Sequence, residues 1–233
     1  MTSSKSILLV LFPGFNTLDM NGPYEVLRKT KSGELFNITV AAESEITTSC
    51  EGVQVKRDIP LDESLISGVA SYDILLVPGG TPEPVDAQVA AVGGPFLNLL
   101  SAFAKLESAA TTNGEPSRIL LSICTGAIFL GALGVFNDRF CTTHWGSYHR
   151  LKERVEVAAA ETAGSKPGTV VAARFVDSGV NVNGVRIISS GGVSCGIDAS
   201  LYVVKLYAGE EVAKAVAQQL DYAWRKTDGF VVL

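Results

Sequence analysis

Cys124 stands where a short apolar run gives way to a small-residue helix. Arg118-Ile119-Leu120-Leu121-Ser122-Ile123 has the length and composition of a buried strand. Cys124-Thr125-Gly126-Ala127-Ile128-Phe129-Leu130-Gly131-Ala132-Leu133 follows at once with a helical pattern. A nucleophile on such an elbow is held above a sheet in a sparsely populated backbone region. Free N–H groups and the macrodipole at the helix amino end favour a thiolate there, so the spacing predicts one reactive cysteine. Two other turns offer it partners. Pro13-Gly14-Phe15-Asn16-Thr17-Leu18-Asp19 carries a carboxylate, and Pro78-Gly79-Gly80-Thr81 a glycine-rich turn. Taken singly, an aspartate near a helix start is a cap and a Gly-Gly pair a tight turn. Gathered in one cleft with a cysteine, they match the parts of a nucleophilic site.

The elements around them explain why they should meet. Ser6 to Phe12 is a continuous apolar run closed by Pro13-Gly14, as suits a strand buried on both faces of a parallel sheet. Phe36 to Ala42 and Ser71 to Val77 read as further strands, and Pro95 to Ala110 as a helix. A helix is expected near Gly22-Pro23, with Pro23 in its first turn. Arg139 to Thr143 reads as a short strand and Trp145 to Glu153 as a helix. Asn183-Gly184, between Arg174–Asp177 and Val185–Ser189, marks a β-hairpin. Two helices close the chain, about Cys195 to Tyr207 and Glu210 to Lys226. This alternation predicts a doubly wound α/β sandwich, mostly parallel, with helices on both faces and a small hairpin. The carboxyl ends of its strands share one edge, where ligands bind, so Asp19, Gly80 and Cys124 are expected in one pocket.

Composition narrows the function classes. The 233 residues fit one domain, 1–233, and 47% hydrophobic against 18% charged residues supply a core. The net charge, 19 − 24 = −5, comes without a basic cluster, which argues against nucleic acid as a partner. No apolar stretch approaches a membrane span, and the amino terminus leads into a core strand rather than a signal peptide, so a cytoplasmic protein is expected. Cys50, Cys124, Cys141 and Cys195 are widely spaced, and His144 and His149 lack ligand spacing. Neither a disulfide framework nor a metal site is expected. Cys50, Cys141 and Cys195 read as small hydrophobes.

Beyond these readings, ordered motifs resemble one family. They are Phe12-Pro13-Gly14 with Leu18-Asp19 and Gly22-Pro23, Val77-Pro78-Gly79-Gly80, Ile123-Cys124-Thr125-Gly126-Ala127, Thr142-Thr143-His144-Trp145, and Ser190-Gly191-Gly192-Val193 with Gly196-Ile197-Asp198. Together, over roughly Ile7 to Tyr222, they resemble the ThiJ/PfpI superfamily, the class I glutamine amidotransferase-like group that includes the parkinsonism-associated protein deglycase. Aspartate at Asp19, Cys-Thr-Gly at the elbow and Thr-Thr-His-Trp are most similar to its isocyanide hydratase branch. The resemblance implies a flavodoxin-like fold, a homodimer, no cofactor, and Cys124 as nucleophile with Asp19 close to its sulfur. Where true glutamine amidotransferases carry His-Pro-Glu, this chain has Ser190-Gly191-Gly192-Val193, which argues against glutamine hydrolysis. His144 falls where some relatives carry a pocket histidine.

Three functions share such a site. The first is hydration of a small electrophile, an isocyanide going to an N-substituted formamide. There Cys124 attacks, Asp19 acts as acid and then base, and the Gly80 and Thr125 N–H groups steady charge beside Gly79. In that scheme the Thr125 hydroxyl is free to hold Asp19 or a water. The second is a glutathione-independent glyoxalase acting on methylglyoxal, with His144 as a base. The third is a redox sensor that reads out oxidation of Cys124.

Overall fold

The structure, a computed structural model, describes residues 4–30, 35–108 and 117–232. Its centre is an eight-stranded sheet built from β1 (Lys5–Val10), β2 (Phe36–Ala42), β5 (Ile59–Pro60), β6 (Ile74–Val77), β7 (Arg118–Ser122), β10 (Phe175–Val180), β11 (Val185–Ser190) and β12 (Gly229–Val231). The order across the sheet is β12-β10-β11-β7-β6-β1-β2-β5. Every neighbouring pair is parallel except β10–β11, so this is the doubly wound, flavodoxin-like α/β fold expected from the sequence. Ile7 to Val10 and Ile74 to Val77 are fully buried, as unbroken apolar runs in central parallel strands should be. A separate antiparallel hairpin, β3 (Ile46–Thr48) with β4 (Gln54–Lys56), and a two-stranded pair, β8 (Phe140–Cys141) with β9 (Thr169–Val170), lie outside this sheet.

The helices form two packed groups. In one, α1 (Thr17–Arg28) packs on α7 (Cys195–Ala208), and α7 on α8 (Glu210–Gln219). In the other are α2 (Glu63–Ser67), α3 (Pro82–Ala90), α4 (Pro95–Ala104), α5 (Gly126–Ala132) and α6 (Tyr148–Ala160), with α3 on α5 and α5 on α6. Among the described residues no single helix is long and apolar enough to cross a membrane.

Several element bounds differ from the sequence reading. Helix α1 begins at Thr17 rather than near Pro23, because Asn16 caps it through bonds from the Leu18 and Asp19 N–H groups, both 3.1 Å. Pro23 therefore lies inside the helix, where it lacks the N–H that would reach the Asp19 carbonyl. The expected helix from Pro95 ends at Ala104, and its last two residues, 109 and 110, fall outside the described residues. Ser71 closes a 3-10 turn, so β6 starts only at Ile74. Residues 139–143 give just the two-residue β8. Trp145–Ser147 is a 3-10 turn leading into the longer α6. At the other end α8 stops at Gln219, well short of Lys226.

Candidate active site

Parallel pairing of β1, β6, β7 and β11 puts their carboxyl ends on one edge, where the order of connection reverses between β1 and β6. The turns leaving those strands interlock through backbone. Phe15 and Gly80 form an isolated antiparallel bridge, and the Asn16 N–H donates to the Gly79 carbonyl at 2.7 Å. A side chain at Gly79 would sit 2.6 Å from the Thr125 nitrogen and 2.8 Å from that of Gly126. One at Gly126 would sit 2.5 Å from the Val77 carbonyl oxygen. Glycine here is what lets two turns approach within backbone contact.

Cys124 heads the elbow at φ 56°. It shares positive φ with Asp138 and Asp221 among the described non-glycine residues. Aspartate tolerates that region through local hydrogen bonds, whereas a cysteine there must be held by its surroundings. The Cys124 N–H meets the Ser190 and Gly191 carbonyls at 3.0 and 3.2 Å, and the Thr143 hydroxyl donates to the Cys124 carbonyl at 2.8 Å. Strand ends from β7 and β11 and the segment after β8 thus pin one residue.

Asp19 is fully buried in the first turn of α1. The Gly79 N–H donates to its Oδ2 at 3.1 Å. Its Oδ1 is buried and makes no hydrogen bond of ordinary geometry, and the Cys124 thiol is the side-chain partner within the carboxyl's reach. Burial raises the Asp19 carboxyl to about 7, opposed by the nearby Cys124 thiol and the Gly79 N–H and assisted by the Glu51 charge. Burial first, and then the Asp19 charge, push the Cys124 thiol up, while the Thr125 N–H pulls it down. Desolvation thus works against the thiolate that the amino end of α5 is expected to favour. What the site holds is a coupled pair. With Asp19 ionised the sulfur keeps its proton. Moving that proton to the carboxylate yields a thiolate beside a carboxylic acid and removes the Coulombic penalty on sulfur.

The hydroxyl of Thr125, the N–H of Gly80 and the ring of His144 are each engaged by neighbouring groups. The Thr125 hydroxyl is turned to the Gly80 peptide rather than to Asp19. It donates to the Gly80 carbonyl at 2.7 Å and accepts from the Gly80 N–H at 2.8 Å. The Gly80 N–H is thereby engaged, and the groups that favour charge on the sulfur are the N–H and the side chain of Thr125. His144 caps the 3-10 turn, its Nδ1 accepting from the Gly146 N–H at 3.2 Å, and its ring lies over Gly192. Beside the elbow a groove of about 330 Å³ is lined by Thr143, Trp145, Tyr148, Ala173, Gly191 and Cys195, among others.

Sequence reasoning missed two supports. Glu51, at the tip of the β3–β4 hairpin, bonds to the start of α1. Asp198, fully buried, pairs with Arg174 at 2.6 Å and accepts from Tyr222 and the Arg225 N–H at 2.8 and 2.9 Å. The Gly196-Ile197-Asp198 motif carried a signal for the second. Nothing in the local pattern marked the first.

A family model described as the DJ-1/PfpI family matches residues 5–206. An isonitrile hydratase of Pseudomonas putida is 29% identical over 214 residues, which is 92% of this chain and 77% of that protein. Among solved structures, Drosophila melanogaster DJ-1beta superposes with a TM-score of 0.67 at 22% identity, covering 95% of this chain and all of the other. A ThiJ/PfpI family protein from Pseudomonas syringae gives 0.66 at 21%, covering 95% and 76%.

Proposed function

The chain belongs to the DJ-1/PfpI family, in its isonitrile hydratase-like branch, and on that premise we propose that it is a cofactor-free hydratase converting isocyanides to N-substituted formamides. The observation that carries the reading is the fully buried Asp19 carboxyl, fixed by the Gly79 N–H with its other oxygen unpartnered and the Cys124 thiol within its reach; its burial pushes its proton affinity up to about 7. One residue that acts first as acid and then as base needs a proton affinity near working pH.

The reaction balances on these two groups. Proton transfer from sulfur to the Asp19 carboxylate generates the thiolate, with the Thr125 N–H supporting its charge. The thiolate attacks the terminal isocyanide carbon, forming a C–S bond, and Asp19 gives its proton to that carbon. The product is a thioimidate. Asp19, now ionised, takes a proton from water as the hydroxide adds to the same carbon. Collapse of this adduct breaks the C–S bond and releases the thiolate, and the second water proton ends on nitrogen. The same reading takes the protein as a cytoplasmic homodimer.

Turnover of p-nitrophenyl isocyanide and of methylglyoxal, assayed in parallel, tests the reading. Activity on the isocyanide alone is expected. Activity on methylglyoxal alone makes the protein a glyoxalase, and activity on neither favours a sensor function for Cys124.

A further inference from the structure

The β3–β4 hairpin folds over the turn that leads into α1. The Gly14 N–H donates to the Thr48 carbonyl at 2.8 Å, and the Cys50 N–H to that of Phe15 at 2.9 Å. Within the hairpin the Ser49 N–H donates to the Val53 carbonyl at 2.8 Å, so the tip carrying Glu51 is held on both sides. Four donors converge on that carboxylate. The Asn16 amide reaches Oε1 at 2.6 Å and the Cys50 thiol reaches it at 3.0 Å. The Thr17 N–H and hydroxyl reach Oε2 at 2.9 and 2.6 Å. An isolated exposed pair contributes little, but four donors on one carboxylate hold it in a single geometry.

The Asn16 amide links this cluster to the reactive pair. Its Nδ2 bonds to Glu51, while its Oδ1 accepts from the Asp19 N–H at 3.1 Å. One planar group is thus fixed at both ends, by the hairpin carboxylate and by the helix turn that carries Asp19. We propose that Glu51 is a positioning residue for Asp19: its carboxylate orients the Asn16 cap that holds the Asp19 turn, and its negative charge acts on the Asp19–Cys124 pair. The inference rests on the reading of Asp19 as the proton carrier.

The electrostatics agree with the geometry. What burial Glu51 has raises its own proton affinity, but the Cys50 and Thr17 donors hold it down to about 2, so it is charged throughout the working range. Its charge raises Asp19. The other ionisable groups that interact with Asp19 are Cys124 from the elbow and Cys195 from α7. Among the described residues, Glu51 is therefore the permanently charged group acting on the pair.

The test compares wild type with Glu51→Gln and Glu51→Asp at low ionic strength, because the charge is exposed to screening. Two pH profiles are read. One is kcat/KM for p-nitrophenyl isocyanide, and the other is the rate at which iodoacetamide labels Cys124, followed on its own peptide. The second reports the pair whatever the substrate. In wild type both should rise through a midpoint near 7, as the doubly protonated pair loses the first of its two protons. Glu51→Gln keeps the shape and removes the charge. Its midpoint should fall by about half a pH unit, giving about threefold higher relative rates at pH 6. Glu51→Asp keeps the charge and should keep the midpoint to within a smaller change. An unchanged or raised midpoint in Glu51→Gln, with Asp19→Asn abolishing the limb, overturns the inference while leaving Asp19 in its role. Survival of the limb in Asp19→Asn overturns the role of Asp19, and the Glu51 inference with it.

Discussion

Replacing Asp19 by asparagine should make the protein more stable while removing its activity. An aspartate whose proton affinity rises from 3.8 to about 7 on folding is more protonated in the folded state. Stability from this group is complete below the unfolded value. It is lost as pH rises through the folded value, because the buried carboxyl must then ionise without water. The full rise corresponds to about 4 kcal/mol of destabilisation at pH 8, an order-of-magnitude figure for a fully buried group. Asparagine keeps an oxygen to accept from the Gly79 N–H but buries an amide where the thiol now sits, at a cost of about 1–3 kcal/mol. A net gain of about 1–3 kcal/mol at pH 8 remains. Roughly 2–3 kcal/mol of the difference between the proteins should develop between pH 5 and pH 8. For a chain of this length that is about 5–10 °C in relative Tm. Urea unfolding at both pH values, at matched protein concentration, measures it, and turnover should fall about 10²–10⁴-fold. An Asp19→Asn protein destabilised by the same amount at pH 5 and pH 8 would refute the reasoning, because the carboxyl would then carry no stored ionisation cost.

Three further outcomes follow from the packing. Asp198→Ala strands the Arg174 guanidinium, only 16% exposed, and should cost about 3–5 kcal/mol in urea unfolding; a loss below about 1 kcal/mol would mean the pair is effectively solvated. Gly79→Ala drives a methyl into the Thr125 and Gly126 nitrogens, which no rotamer can relieve, so it should cost about 1–3 kcal/mol and lower kcat more than it raises KM. Among the thiols, iodoacetamide at pH 8 should label Cys124 before exposed Cys50, whose proton burial and the Glu51 carboxylate hold up to about 11; faster labelling of Cys50 contradicts the coupled pair.

The sheet was legible in the sequence because its central strands are buried on both faces and carry no alternation to misread. Ile7 to Val10, Ile74 to Val77 and Ile119 to Leu121 are continuous apolar runs, each closed by Pro, Gly or the elbow cysteine. The convergence of the first three turns followed from parallel strand ends alone. What escaped reading depends on contacts between segments far apart in the chain. Glu51 lies 32 residues beyond Asp19, in a polar hairpin whose short strands have no strong pattern. The start of α1 was misplaced because Pro23 is a stronger local signal than Asn16, although the cap decides. The partners of Thr125 and Gly80 could not be read either, since hydroxyls and amides choose among neighbours only once the turns are packed.

The interlock of the turns at Phe15, Gly79, Gly80 and Gly126 also bears on how such a site could be rebuilt elsewhere. Backbone atoms supply the donors to Asp19 and to the sulfur, and main-chain carbonyls hold the Cys124 amide. A designer who grafts only the cysteine and the aspartate onto another scaffold transfers the reagents without their holder. The portable unit is a set of peptide planes from separate turns in fixed relation, and the permissible insertions in a scaffold are those that leave these planes undisturbed.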